Sequence, residues 1–127
     1  MTGELVPAVL LPRFSSFVGP GSFVTVPLDV TQYEVFDGFF GRGPLVGGAA
    51  SNPFLVYFEE SHDANAWTQC ITAPAQPMDA TDLPAAISVT IHRRWLRVRV
   101  ELLADANGVV AVTLWLAGGL QRRVLEA

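Results

Sequence analysis

The feature that most constrains the fold of this chain is a strictly alternating segment, residues 95–103. Apolar side chains occupy every second position in it, and Trp95, Arg97, Arg99 and Glu101 occupy the positions between them. A period of two residues places the two sets on opposite sides of an extended backbone, whereas a helix needs apolar residues three or four apart. The segment therefore predicts a half-buried antiparallel strand.

Four other segments have the length and composition of strands. Residues 54–60 are an aromatic and branched run between a proline and a polar turn, and residues 66–71 are expected to return antiparallel to it. Residues 22–30, rich in phenylalanine, valine and threonine, predict a short strand. Residues 33–40 predict another, bent at Gly38. These segments indicate an all-β chain.

A second branched run, residues 109–117, follows the alternating segment after an Asn-Gly pair at 107–108. Such a pair between two strands predicts a hairpin, so we expect the two runs to pair with each other. The two glycines at 118–119 are expected to end this strand, and residues 120–125 to add a final one.

Proline and glycine are expected to interrupt regular structure elsewhere. Residues 41–53 hold four of the 11 glycines and two prolines, which predicts a long loop. Residues 73–86 hold three prolines and are expected to connect two strands, with at most one helical turn beginning at Thr81 or Asp82. Three prolines exclude a helix in the first 21 residues, so this part predicts an extended arm.

The chain has 127 residues, 50% of them apolar and 16% charged. This length fits one domain, and the composition excludes a disordered chain. We predict a single antiparallel β-sandwich or jelly roll of seven or eight strands at residues 22–127, preceded by an extended N-terminal arm at residues 1–21. A domain this small cannot bury so many apolar side chains in one core, so we expect a partner or further copies to cover some of them.

The charges are few and unevenly distributed. All eight basic residues are arginines, and the formal net charge is −4. The first 91 residues carry nine acids and two arginines, whereas the remaining 36 carry six arginines and three acids. Arginine suits paired contacts with carboxylates, so we expect Arg97 and Arg99 to face either Glu59, Glu60 and Asp63 or an acidic patch on a partner. This balance argues against nucleic acid as the main partner.

No group of residues predicts catalysis. His62 and Asp63 lie beside Glu59 and Glu60 and could hold a calcium ion, but a turn-forming role for Asp63 is the simpler interpretation. The two histidines have no neighbours that would complete a nucleophile, base and orienting group. The single cysteine, Cys70, cannot form an intrachain disulfide. We therefore expect no enzyme activity, no cofactor and no metal.

Two further expectations concern membranes and export. The longest apolar run has about 12 residues, fewer than the roughly 20 that a membrane span needs. The beginning of the chain lacks the basic residues and the cleavage site of a secretory signal. We expect a protein that is made and used without export and without a membrane.

Two short segments carry a resemblance to known proteins. Ser61-His62-Asp63, followed by Trp67, resembles the S-x-D-G-x-x-W hairpin of discoidin-like carbohydrate-binding sandwiches, and residues 94–98 (RWLRV) resemble their R-Y-x-R strand. Together with residues 11–14 (LPRF), these elements also resemble small all-β structural proteins of tailed bacteriophages. The chain has an alanine, residue 64, where the hairpin motif has glycine, and it lacks the disulfide of the extracellular members.

The phage resemblance implies a structural protein of the virion, such as a decoration or cement protein that binds the major capsid protein and neighbouring copies, with a trimer as the implied assembly. A small tail or connector protein is an alternative within that class. A carbohydrate-binding module is an alternative of another class, since Trp95 and Arg97 could stack on sugars. The residues expected to bind a partner are Leu5, Val9, Leu11, Phe14, Phe39, Phe40, Arg97 and Arg99.

Overall fold

The computed structural model describes residues 5–50, 53–70, 76–77 and 85–123, in which two antiparallel sheets pack against each other as a β-sandwich. This confirms the predicted fold class. The strands in chain order are β1 (Leu5–Val18), β2 (Gly21–Val24), β3 (Leu28–Asp29), β4 (Tyr33–Gly47), β5 (Phe54–Ser61), β6 (Thr68–Gln69), β7 (Gln76–Pro77), β8 (Ala85–Thr90), β9 (Trp95–Leu102) and β10 (Val110–Arg122).

Each sheet has two long central strands. Sheet A has the order β1-β10-β4-β8. Sheet B has β9 and β5 at its centre, with β2 and β3 along the free side of β9 and β6 and β7 along the free side of β5. Every pairing between the described strands is antiparallel.

The core lies between the two sheets and follows the predicted alternation. In β9 every second side chain is buried, from Leu96 to Leu102, as the period of two predicted. Phe36 of sheet A and Phe58 of sheet B are both fully buried, with ring centroids 6.3 Å apart. Burying a side chain of this size contributes roughly 1.5–3 kcal/mol, so the contact between the sheets provides much of the stability.

The expected N-terminal arm is instead largely a strand of the sandwich. Residues 5–18 form β1 and pair with β10, with irregular register on either side of Leu11. Pro7 and Pro12 are compatible with this position because β1 is an edge strand, where a missing N–H need not disrupt a ladder. The prolines correctly excluded a helix, but they did not separate this segment from the domain.

The expected loop at residues 41–53 is also shorter than predicted, because β4 continues to Gly47. Glycine in this segment allows β4 and β10 to approach each other closely. A Cβ atom at Gly41 would lie 2.7 Å from the ring of Trp115 on β10, which is closer than real contacts allow. Gly118 and Gly119 likewise lie inside β10 and do not end it.

The predicted hairpin between the alternating segment and the second branched run is wrong. β9 belongs to sheet B and β10 to sheet A. Both sides of each strand are already occupied, β9 by β5 and β2 and β10 by β1 and β4, so the chain crosses from one sheet to the other. The Asn-Gly pair does form a tight turn, in which Gly108 donates to the Asp105 carbonyl oxygen and has a φ of 74°.

Three smaller predictions have mixed outcomes. The strand expected at residues 22–30 is split into β2 and β3 on either side of Pro27. The return strand expected at residues 66–71 is present as β6, paired with β5. The helical turn expected near Thr81 or Asp82 falls outside the described residues.

Candidate interaction surfaces

The outward side of sheet B carries a ladder of charged and aromatic side chains. Glu59 of β5 accepts from two arginines of β9: its Oε1 lies 2.9 Å from Arg97 Nε and its Oε2 lies 3.1 Å from Arg99 Nε. Arg99 Nη1 also donates to Glu101 Oε2 at 2.9 Å. We call this side the sheet-B face and define it by Tyr57, Glu59, Trp67, Arg97, Arg99 and Glu101.

The arginines of this face also cover aromatic rings. The Arg97 guanidinium lies 4.2 Å from the ring centroid of Trp67, and that of Arg99 lies 4.0 Å from the ring centroid of Tyr57. Partial burial by itself would lower the pKa of Arg99, but its hydrogen bonds to Glu101 and Glu59 raise it above its ordinary value. The expected contact of Arg97 and Arg99 with an acid is therefore made within the chain, by Glu59.

The acidic residues around the polar turn are not gathered into a metal site. Glu59 points outward to the arginines, whereas the neighbouring Glu60 is buried and accepts from the His92 backbone N–H at 2.9 Å. Their carboxylates lie on opposite sides of β5 because successive side chains of a strand alternate. Among the described residues no group of three or more potential ligands forms a metal site.

Asp63 has the turn-forming role that the sequence favoured. Its Oδ1 accepts from the Ser61 hydroxyl and from the backbone N–H groups of Asn65 and Ala66. The backbone hydrogen bonds from Ala66 and Asn65, followed by the Ser61 hydroxyl, lower the pKa of Asp63 to about 2. Ala64 sits at the tip with a φ of 61°, where the resembled motif has glycine.

Cys70 is buried, and its thiol is a weak nucleophile. Desolvation, with smaller contributions from the charges of Glu60 and Glu59, raises the pKa of its thiol to about 12. A thiol that remains protonated at neutral pH is a poor nucleophile. Cys70 thus contributes to packing, where it is part of the core.

The outward side of sheet A has the opposite character. Directly paired residues form three rows across its four strands, and Asp37 is the only charged side chain in them. We call these rows the sheet-A face. They are Val9, Ala117, Phe39 and Ala86; Pro7, Gly119, Asp37 and Ser88; and Leu5, Gln121, Val35 and Thr90.

A hollow lies within this face beside its largest exposed ring. The hollow has a volume of about 510 Å³ and is lined by Leu5, Asp37, Phe39, Ala86, Ile87 and Ser88, together with glycines of β4 and β10. Leu5, Val9 and Phe39 are 63%, 62% and 53% exposed. A large aromatic ring therefore stands next to a space whose lining is mostly apolar but includes the Asp37 carboxylate, so a group inserted there would meet both apolar side chains and one acid.

The residues expected to bind a partner fall into distinct groups. Leu5, Val9 and Phe39 lie on the sheet-A face. The prediction that Leu11 and Phe40 bind a partner is wrong, because they are only 5% and 4% exposed and belong to the core. The alternation of β4 separates Phe39 from Phe40, and the sequence alone did not show which of the two faces outward.

The remaining partner-binding predictions have other outcomes. The side chain of Phe14 falls outside the described part of the molecule. Arg97 and Arg99 lie on the sheet-B face in contact with Glu59. The hollow could not be predicted from the sequence, because its lining comes from four strands that are distant in sequence.

Comparisons of the chain with protein-family models, with curated proteins and with solved structures give no match. Within the described residues no helix has the length and apolar character needed to cross a membrane. The two contrasting sheet faces are therefore the features from which a function can be inferred.

Proposed function

We propose that the protein is a non-enzymatic structural component of a tailed-phage particle, in which it acts as a capsid decoration or cement protein. The observation that supports this best is the sheet-A face, which spans four strands and carries one charged side chain. Leu5, Val9 and Phe39 are exposed on this face, and large exposed apolar side chains that share one face often mark a contact with another protein. In this proposal the face packs against the shell or against neighbouring virion proteins.

The sheet-B face is less suited to bind a partner by charge. Arg97 and Arg99 already share Glu59, and Arg99 also binds Glu101, so the formal charges largely cancel. Forming a new ion pair with a partner would require these internal contacts to be broken. We assign this face a structural role, in which the ladder fixes the pairing of β5 with β9.

A carbohydrate-binding module is the second candidate, favoured by the aromatic rings of Tyr57 and Trp67 on the sheet-B face. Sugars bind such rings by stacking on them, but each ring has an arginine over one side. A glycan array separates the candidates: the structural proposal predicts no binding above background. Specific glycan binding that is lost in Trp67→Ala would favour the module.

Position within the particle is part of the same proposal. A decoration protein occurs in many copies on the head, whereas the alternative of a small tail or connector protein implies a ring of few copies at one vertex. Both require an apolar contact surface, so the sheet-A face supports either. Quantitative mass spectrometry of purified particles distinguishes them by the ratio of this chain to the major capsid protein.

Incorporation into particles tests the proposal directly. The tagged chain is expressed in cells infected by the phage that encodes it, and virions are separated on a density gradient. We expect the wild-type chain to sediment with virions and Phe39→Asp to remain in the soluble fraction. Val24→Asp is the matched control, because Val24 has the same exposed fraction as Phe39, 53%, but lies in sheet B. Absence of the wild-type chain from virions would refute the proposal.

A further inference from the structure

In the part of the chain that the structure describes, three of the four sheet edges carry features that hinder pairing with another strand. β1 carries Pro7 and Pro12 and has two register irregularities. On one side of sheet B, β2 and β3 are short strands separated at Pro27, and on the other side β6 has two residues and the described part of β7 includes Pro77. Proline, irregular register and short length are the usual devices that prevent edge-to-edge association.

The fourth edge, β8, has none of these devices. It is a regular strand of six residues, AAISVT, without proline or a charged side chain. It pairs with β4 over its whole length in an unbroken register. Within the described residues no strand pairs with its other side. An uncharged, regular edge of this kind is a template for another strand.

The register shows which backbone groups point away from the sheet. Ile91, which follows β8, donates its N–H to the Glu34 carbonyl oxygen on the β4 side. In an antiparallel pair the direction of the backbone groups alternates along the strand. The N–H and C=O groups of Ala86 and Ser88 are therefore directed to the open edge, and their small side chains are exposed.

We propose that β8 pairs antiparallel with β8 of a second copy of this chain about a two-fold axis, which joins two copies of sheet A into one continuous sheet. In the register centred on the axis, Ser88 lies opposite its symmetry mate. Each such hydrogen-bonded pair exchanges two N–H···O bonds. The contact is isologous, so it closes after two copies and forms no open fibre.

The charge and edge pattern of the chain identify the second copy as the occupant. Among the described strands β8 is the edge that a copy offers without these devices, and two β8 strands bring no charged side chains into opposition. The hollow is lined by Ala86, Ile87 and Ser88, among others, and so borders this edge directly. Pairing would place the second strand beside the hollow and would double the width of the sheet-A face.

This inference deepens the proposed function, since it names the contact between copies, but it is tested on the purified chain without any particle. Sedimentation velocity and light scattering at micromolar concentration should give a dimer for the wild type and a monomer for Ser88→Lys, because two lysines would oppose each other at the axis. Ala86→Lys is a second, independent variant. Ser22→Lys is the matched control, an exposed serine of sheet B that should leave the dimer intact. Circular dichroism confirms that each variant is folded.

Amide hydrogen exchange identifies the covered edge. The amides of Ala86 and Ser88 should be protected in the wild-type dimer and should exchange faster in folded Ser88→Lys. A monomeric wild type would overturn the proposal, and protected β8 amides in that monomer would show that the edge is covered within the chain. An oligomer that survives both lysine substitutions would also overturn it. A monomeric wild type in which the Ala86 and Ser88 amides become protected only in the particle would overturn it as well, and would show that another virion protein supplies the strand.

Discussion

At the residue scale, the turn between β5 and β6 shows how a few side chains fix a local conformation. Ser61 and Asp63 satisfy the backbone N–H groups of three successive residues, 64–66, which would otherwise depend on water. This local hydrogen bonding is the reason that the serine and aspartate of the motif could be assigned a structural role from the sequence. The strain at Ala64 and the acidity of Asp63 each lead to a prediction.

Ala64 is the only described residue other than glycine with a positive φ, 61°. An L-residue in this region costs roughly 1–2 kcal/mol, which glycine avoids because it has no Cβ atom. Glycine also raises the entropy of the unfolded chain, which cancels part of that gain in stability. We expect Ala64→Gly to raise the free energy of unfolding by about 0.5–1 kcal/mol in a urea titration. Ala66→Gly in the same turn is the control and should lower it. A destabilised Ala64→Gly would show that the alanine methyl group makes a contact that outweighs the strain.

Asp63 makes the stability of the protein depend on pH in the acid range. Its pKa is about 2 in the folded chain, against an ordinary value of 3.8. Because the folded state binds this proton more weakly, the contribution of the carboxylate is complete above the ordinary value and is lost as the pH falls toward 2. We expect Asp63→Asn to be less stable than the wild type near neutral pH and the difference to shrink in acid. A difference that is constant with pH would contradict the assignment.

At the scale of elements, the sequence predicted strands better than it predicted their pairing. Alternation identified β9, and an aromatic and branched run between turn residues identified β5; one side of each strand faces the core along its whole length. The Asn-Gly pair indicated a turn but carried no information on which sheet the next strand joins. The glycines of β4 and β10 resembled loop residues because the sequence does not show the ring or backbone that lies against them.

The glycines of β4 should differ in their tolerance of a methyl group. A Cβ atom at Gly38 would lie 2.5 Å from the Ala117 carbonyl oxygen, whereas one at Gly43 would make an ordinary contact of 3.5 Å with Thr113. We expect Gly38→Ala to cost roughly 1–3 kcal/mol by overpacking. Gly43→Ala should change stability by less than about 1 kcal/mol. Thermal unfolding of both variants checks this, and equal losses would argue against close approach of the strands at Gly38.

The ladder on the sheet-B face should depend mainly on Glu59. This carboxylate is largely buried and accepts from both Arg97 and Arg99, whereas Glu101 is more exposed and accepts from Arg99 alone. Leaving two guanidinium groups without their carboxylate should cost about 1–3 kcal/mol in Glu59→Gln. Glu101→Gln should cost less than about 1 kcal/mol. If chemical denaturation shows the reverse order, the ladder is not centred on Glu59.

The same contacts revise the role expected for the arginines. If Arg97 and Arg99 served a partner, reversing both to glutamate would weaken association and hardly affect melting. Because both guanidinium groups bind Glu59 within the chain and Arg99 also binds Glu101, the reversal would place four carboxylates together. We expect a clear fall in melting temperature. An unchanged melting temperature of the double variant would instead favour the interpretation in which these arginines bind a partner.

At the scale of the whole molecule, the sandwich has one charged and one nearly uncharged face. Among the described residues the core between the sheets holds most of the large apolar side chains, and the sheet-A face exposes three others, Leu5, Val9 and Phe39. The proposed contact with the particle uses these three. It should therefore behave as an apolar contact and not as an ionic one.

Binding to particles should be insensitive to salt. Screening shortens the reach of charges from about 10 Å at 0.1 M to about 3 Å at 1 M ionic strength, but it leaves apolar burial largely unaffected. We expect the bound fraction of the chain to be the same at both ionic strengths when virions are pelleted and washed. Release of the chain in the high-salt wash would indicate that arginines or acids hold it to the particle.

Electron microscopy of purified virions shows directly which face of the sandwich the particle covers. The proposed function predicts density for this β-sandwich in the particle, with the outward side of sheet A in contact with the shell or neighbouring proteins, Phe39 covered and the sheet-B ladder exposed to solvent. A particle that lacks the domain would contradict the proposed function, and so would one in which the sheet-A face is exposed to solvent while the sheet-B face makes the contacts.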